Sequence, residues 1–274
     1  MNRRSIISGL ADRSSLPLRE ISYCLDNGNQ AEGIFLMLLE RAVHKPASLS
    51  EEEGRALYYG IHLLGALGSK AAATPLLKLL TSVERQAALI VGDAIGSTIP
   101  RVLMALTQKS EPDYWPLVTN PSLDWLVRDA FLKAWTFQVM EGAINPKEAE
   151  VKLAAFPRHT LLLADDMIWL SWMNAIADLG LSGLAPQVRK MIAEGNIEVS
   201  PLSVSKKDVE GFEAELNSTS INSELPSWRE QRGYTPFEGS VSDFEQASRF
   251  CPEFAVSEAP PRLLAADREK PFES

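Results

Sequence analysis

A carboxylate on an apolar helix is the first place to look for chemistry in this chain. Asp93 stands in ALIVGDAIG, directly after Gly92, with Leu89, Ile90 and Ile95 as its turn neighbours. If buried, such a carboxylate must be paired or hydrogen-bonded. Arg101 on the following helix and Arg128 on the next one are the cations in reach. The arrangement reads as a polar clamp between neighbouring units, with a ligand site as the alternative. Arg128 itself precedes Asp129 in the apolar segment WLVRDAFLKAW. Adjacent helical residues point in different directions, so the two do not bond to each other. Arg128 faces Asp124 at i−4 and Asp129 faces Lys133 at i+4, the pattern of solvated surface charges.

Other reactive residues are sparse. An acid–base mechanism centred on histidine wants an imidazole beside a carboxylate or a nucleophile. His62 lies one turn from Tyr58 and Tyr59, His159 follows Pro157 and Arg158, and His44 stands at a helix end that suits a cation. Each reads as a surface or edge histidine. The sequence holds no GxSxG elbow, no HExxH and no GxxxxGK[ST] loop. Cys24 and Cys251 form no CxxC or CxxH spacing, so neither a zinc site nor a disulfide framework is expected, and no cofactor signature is present. Trp169 and Trp172 share a helix face. They read as core packing or, alternatively, as an aromatic binding surface. Asp165 and Asp166 before them suit the positive end of a helix dipole.

The elements that carry these residues are helices. LLGALGSKAAATPLLKLL around Leu67 and VGDAIGSTIPRVLMAL around Ile95 are variants of one unit, and IADLGLSGLAPQVRKMI is a fainter copy. Each is a helix, a glycine stop, a short turn, a proline restart and a second helix. Gly68, Gly96 and Gly180 are read as the stops, and Thr74-Pro75 as a cap and first helical residue. A first helix opens at Leu16–Leu18 and closes on a left-handed stop at Asn27-Gly28. Ser50 and Glu53 form a capping box, as do Ser205 with Asp208 and Ser242 with Glu245. Further helices open at Asn120–Ser122, at Asn145-Pro146 and near Asp165-Asp166. No stretch alternates apolar and polar residues as a strand would. One hairpin cannot bury its apolar face alone, so the units must stack.

Composition sets the outer limits. The 274 residues carry 27 Lys and Arg against 36 Asp and Glu, a formal charge of −9. An acidic surface disfavours nucleic acid and suits a basic partner. No segment approaches the ~20 apolar residues of a membrane span, and the N-terminal apolar run is too short for a signal peptide, so a cytoplasmic location is expected.

From Leu57 to about Val209 the chain resembles an uncharacterised bacterial helical-repeat family, domain-of-unknown-function family 1186. The stretches that carry the resemblance are Gly92-Asp93 with the following turn and LMAL helix, WLVRDAFLKAW leading into MEGAINPKE, and WLSWMNAIADLGLSGLAPQVRKMIAEGNI. In the last, Trp172, Ala175, Gly180, Pro186 and Val188 fall in register. The resemblance implies a HEAT-like stack and little about activity. Some relatives end in a Cys-rich zinc-binding tail; only Cys251 lies near this end, so no zinc is carried over. The more distant likeness to HEAT and armadillo repeats implies protein binding.

The expectation is therefore an all-α HEAT/armadillo-like α-solenoid over residues 1–198, followed by an irregular C-terminal segment, 199–274. Trp228, Tyr234, Phe237, Phe244, Phe250 and Phe254 suggest that part of this segment packs back on the last repeat as a cap or strap. From Pro260 the end reads as frayed. The leading functional expectation is a non-enzymatic scaffold or adaptor for a basic protein partner, an immunity-type inhibitor included. The alternative is an enzyme or enzyme subunit acting on a small molecule in the groove, carried by Asp93, Arg101 and Arg128. A nucleic-acid-binding solenoid is a weaker third.

Overall fold

The computed structural model describes residues 1–252 except 13, 83–85, 108–110, 160–161 and 223–224, with the backbone alone at 86, 88, 159 and 219–222. The expected frayed end from Pro260, and Phe254, lie outside these residues. Among the described residues the chain is all-helical, its sole extended pairing being a bridge between Val199 and Val204.

The N-terminus forms α1 (Arg3–Ala11), capped by Asn2, whose Oδ1 accepts the Ser5 amide at 2.9 Å. Its buried stripe of Ile6, Ile7 and Leu10 faces α4 (Glu51–Ala66). Between them run α2 (Leu18–Asp26) and α3 (Gly28–His44). The stop expected at Asn27-Gly28 is instead a hinge. Asn27 has φ −118° rather than a left-handed value, and Gly28 begins α3 at once. The Ser50–Glu53 capping box of α4 is formed, and Gly68 ends that helix at φ +60°. α5 (Lys70–Leu80) begins one turn before the expected Thr74-Pro75 start, leaving Pro75 inside the helix. The strong helix formers Lys70–Ala73 extend it backwards at the cost of one backbone bond.

The next hairpin departs most from expectation. α6 (Gln86–Val91) stops at Gly92, which has φ +50°, and residues Gly92–Gly96 form a 3-10 turn. The left-handed residue is Gly92, not Gly96. A Cβ at Gly92 would come within 3.2 Å of Pro252, so a strained backbone and a close neighbour both call for glycine there. α7 (Ile99–Leu106), the short α8 (Trp115–Val118) and α9 (Trp125–Met140) follow. The N-cap of α9 is Asp124, taking the Leu126 amide at 2.9 Å, so the helix opens later than Asn120–Ser122. α10 (Pro146–His159), α11 (Ile168–Asp178) and α12 (Ala185–Ala193) begin close to their expected prolines and aspartates, and Gly180 stops α11 at φ +63°.

Helices α1, α4, α7, α9 and α11 pack each against the next, and α13 (Lys206–Asn222) extends this row beyond residue 198. A second set lies against it: α3 and α5 beside α4 and α7, α8 beside α9, and α10 beside α11. The apolar side chains between the sets form one continuous core. Each fully buried Leu or Ile contributes ~1.5–3 kcal/mol, which makes the stacked arrangement, not the single hairpin, the stable unit.

The chain then turns back. α14 (Pro226–Arg232), an extended stretch over 233–239, and α15 (Val241–Ser248) run across the row from α11 to α4. This strap buries Trp228, Tyr234, Phe237 and Phe244. It reaches far past the last hairpin, as far as Ala66 and Tyr58 on α4. Its capping box is Ser240 with Asp243, two residues before the expected Ser242–Glu245.

Candidate functional site

Arg101 on α7 holds one half of the strap. Its Nε donates to the Thr235 carbonyl at 2.9 Å and its Nη1 to Gln246 at 3.0 Å. Its Nη2 donates to the Pro236 carbonyl at 3.2 Å and to Asp243 Oδ1 at 2.6 Å. The backbone joins in, the Phe237 amide donating to the Arg101 carbonyl at 3.0 Å. Burial pushes the Asp243 carboxyl up, but its bonds from Arg101 and Ser240 outweigh that and hold it below the usual carboxylate range. The expected partner of Arg101, Asp93, is exposed on the 3-10 turn and forms no clamp. The physical reason is the break at Gly92, which turns Asp93 out of the helix face it was assigned to.

On one side of this clamp Arg101, Thr235, Asp243 and Gln246 line a cavity of about 310 Å³; on the other the strap is aromatic. Phe237 packs edge-on to His62 at 5.0 Å and to Phe244 at 5.2 Å, under the Arg101 guanidinium. His62 is not a surface histidine. It is fully buried, with Nδ1 2.9 Å from the Tyr58 carbonyl and Nε2 2.7 Å from Thr98 Oγ1. Burial lowers its pKa to about 4, so the ring is neutral; Nδ1–H then donates to Tyr58 and Thr98 donates to Nε2. Tyr58 donates to the Ala247 carbonyl at 2.5 Å. Gly239, at φ +82°, lets the strap come so close that a Cβ would meet Ala66 at 2.7 Å.

The other half of the strap sits on α9 and α11 through a polar footing. Arg232 Nε reaches Asp178 Oδ1 at 2.9 Å, with Nη2 on the same oxygen, and Tyr234 donates to Asp178 Oδ2 at 2.6 Å. Burial raises the Asp178 carboxyl and, more strongly, the Tyr234 phenol. Arg229 pairs with Glu141 at 2.6 Å nearby. Beside this footing lies a cavity of about 180 Å³, walled by Asp129, Lys133 and Thr136 of α9, Ser171, Asn174 and Asp178 of α11, and the strap.

Arg128 lies elsewhere. It points into the core between α9, α8 and α10, with Nε on the Val118 carbonyl at 2.8 Å and its guanidinium 6.0 Å from the centre of the Phe156 ring. Asp166 Oδ2 is 4.0 Å from Nη1, and Nη2 has no partner among the described residues. It is therefore no solvated face charge, and burial lowers its pKa. Asp129 and Lys133 form no ion pair with each other. Trp169 and Trp172 are buried, their Nε1 atoms donating at 2.9 Å to the carbonyls of Leu163 and Leu153. Trp172 stacks on Phe156 and Trp169 meets both rings edge-on inside the core, so neither presents a surface. No hydrogen bond or ion pair joins any two of Asp93, Arg101 and Arg128. Among the described residues no three His, Cys, Asp or Glu side chains converge as metal ligands, and no single helix is long and apolar enough to cross a membrane.

Fold and site together define an all-helical protein in which a row of core helices is crossed by the chain's own C-terminal strap. The chain belongs to the family described as Protein of unknown function (DUF1186), which it matches over residues 1–251, strap included. No curated protein and no solved structure matches it.

Proposed function

We propose that the protein is a non-enzymatic interaction scaffold of the cytoplasm, a HEAT-like solenoid of helical hairpins that engages a protein partner through its inner helix row. The observation that carries this reading is that the row already binds a polypeptide. Arg101 reads two successive backbone carbonyls of the strap, the Arg101 carbonyl receives the Phe237 amide, and Phe237 fills a pocket beside His62. Main-chain bonds plus a buried aromatic anchor are how grooves recognise extended peptides. The strap is the resident occupant, and a partner segment of similar chemistry competes with it. The charge of −9 favours a basic partner by steering its approach. An immunity-type inhibitor of a basic toxin belongs to this class. The enzymatic alternative draws on Asp93, Arg101 and Arg128, which here point outward, into the strap and into the core respectively.

The test is co-purification from the native host of the intact chain and of Arg101→Ala, which loosens the resident strap. One stoichiometric protein partner, held more tightly by Arg101→Ala, supports the scaffold. Absence of any partner for both, or a partner indifferent to Arg101, contradicts it.

A further inference from the structure

The geometry points to a small-molecule site in the chamber between α9, α11 and the strap, shaped for a zwitterion of α-amino-acid size. The chamber is about 180 Å³, partly open to solvent, and is bordered on one side by the strap's Arg232 and Tyr234. Helix α11 reads IWLSWMNAIAD, and Ser171, Asn174 and Asp178 are its only polar residues. Spaced i, i+3 and i+7, they fall on one face, and that face lines the chamber. Asp129, Lys133 and Thr136 do the same from α9 at i, i+4 and i+7.

Asp178 is engaged by Arg232 and Tyr234. The other five hold no side-chain hydrogen bond or ion pair within the described chain. Thr136 lies behind this wall: it is fully buried, and its Oγ1 has no partner among the described residues. Asp129 and Lys133 are one turn apart, the spacing at which such charges pair, yet no ion pair forms. The cation is left for a carboxylate and the carboxylate for an ammonium group.

The charge balance selects the ligand class. A phosphate or dicarboxylate would face Asp129 and Asp178, and a polyamine would face Lys133 and Arg232. An apolar molecule would leave all the polar groups unmatched. A molecule carrying both signs satisfies both, with Ser171 and Asn174 adding neutral hydrogen bonds. A neighbouring cavity of about 310 Å³ shares Lys133, Gln231 and Arg232 as a wall and leaves room for a ligand side chain on that side.

The experiment is calorimetric titration of the intact protein with each of the standard amino acids singly, with inorganic phosphate and putrescine as controls. The site predicts saturable one-to-one binding of at least one amino acid and none of the controls. Lys133→Met and Asp129→Asn should each weaken that binding about tenfold or more while leaving the melting temperature of the unliganded protein in place. If either variant fails to fold, Asn174→Ala, which removes a half-buried amide, serves in its stead with the same expectation. No amino acid binding at millimolar concentration overturns the site, as does binding unchanged in the variants. Equal binding of phosphate or putrescine overturns the ligand class. None of these outcomes depends on a protein partner, so the result stands apart from the scaffold reading.

Discussion

The strap rests on two footings of opposite character. Over α4 and α7 it is anchored by an aromatic ring and a fully engaged arginine; Phe237 and His62 are buried, and the four Arg101 bonds each have an acceptor in place. Over α9 and α11 it is anchored by one buried carboxylate, while the side chains of the neighbouring Lys133, Asp129, Asn174, Ser171 and Thr136 make no hydrogen bond or ion pair among the described residues. The first footing has the makings of a lock. The second has unused hydrogen-bonding capacity under cover, which is what a site needs. The difference separates charges that hold the chain together from charges that remain available to another molecule.

The comparison is most easily broken at the aromatic footing. Phe237→Ala should cost about 3–5 kcal/mol in denaturant unfolding, as truncation of a buried phenylalanine does. A loss below about 1 kcal/mol would mean that the ring only rests on the row.

The same footing should be sensitive to acid. The His62 pKa is about 4 in the folded protein against 6.5 for the ordinary imidazole. Burial is the chief cause, with Arg101 adding to it and Tyr58 and Asp243 opposing. Between those values the unfolded chain binds the extra proton, so stability falls as pH drops from about 6.5 toward 4 and is unaffected by this group at higher pH. The full effect is about 3 kcal/mol. Unfolding free energies measured across that window should slope less in His62→Gln; equal slopes would remove His62 from the account.

At the polar footing Asp178→Ala should cost about 2–3 kcal/mol, because Arg232 and Tyr234 lose their shared acceptor. Arg232 is partly exposed and recovers some hydration, which sets the figure below that of a fully buried pair. Smallest of all is Asp93→Ala. As an exposed residue with no partner among the described residues it should shift stability by less than about 0.5 kcal/mol, and a larger loss would restore the clamp first assigned to it.

Local signals carried much of the fold. The Ser50–Glu53 and Ser205–Asp208 caps, the glycine stops at 68 and 180, and the proline start at 146 are set by groups within a turn of each other, so they were readable. The strap's attachment was not. Arg101 and Asp243 are 142 residues apart, and no periodicity links them. The same remoteness explains Gly92, whose close neighbour is Pro252, and hence the misplaced Asp93. Arg128 was misread because its i−4 partner Asp124 caps the helix instead, leaving the guanidinium to turn inward toward Val118. The polar face of α11 was legible, since three polar residues at i, i+3 and i+7 stand in an otherwise apolar helix. What covers that face was not, since Arg232 and Tyr234 lie 54 and 56 residues from Asp178.

The central claim is that the helix row from α4 to α11 holds the strap as a groove holds a peptide, with Arg101 as the reader. Site-resolved amide hydrogen exchange on the intact chain and on Arg101→Ala tests it most directly. The account predicts a protected Phe237 amide in the parent chain, and in the variant faster exchange across 234–250 while α3 and α5 keep their protection. Exchange in the strap that is already fast in the parent, or that stays as slow in the variant, would contradict it.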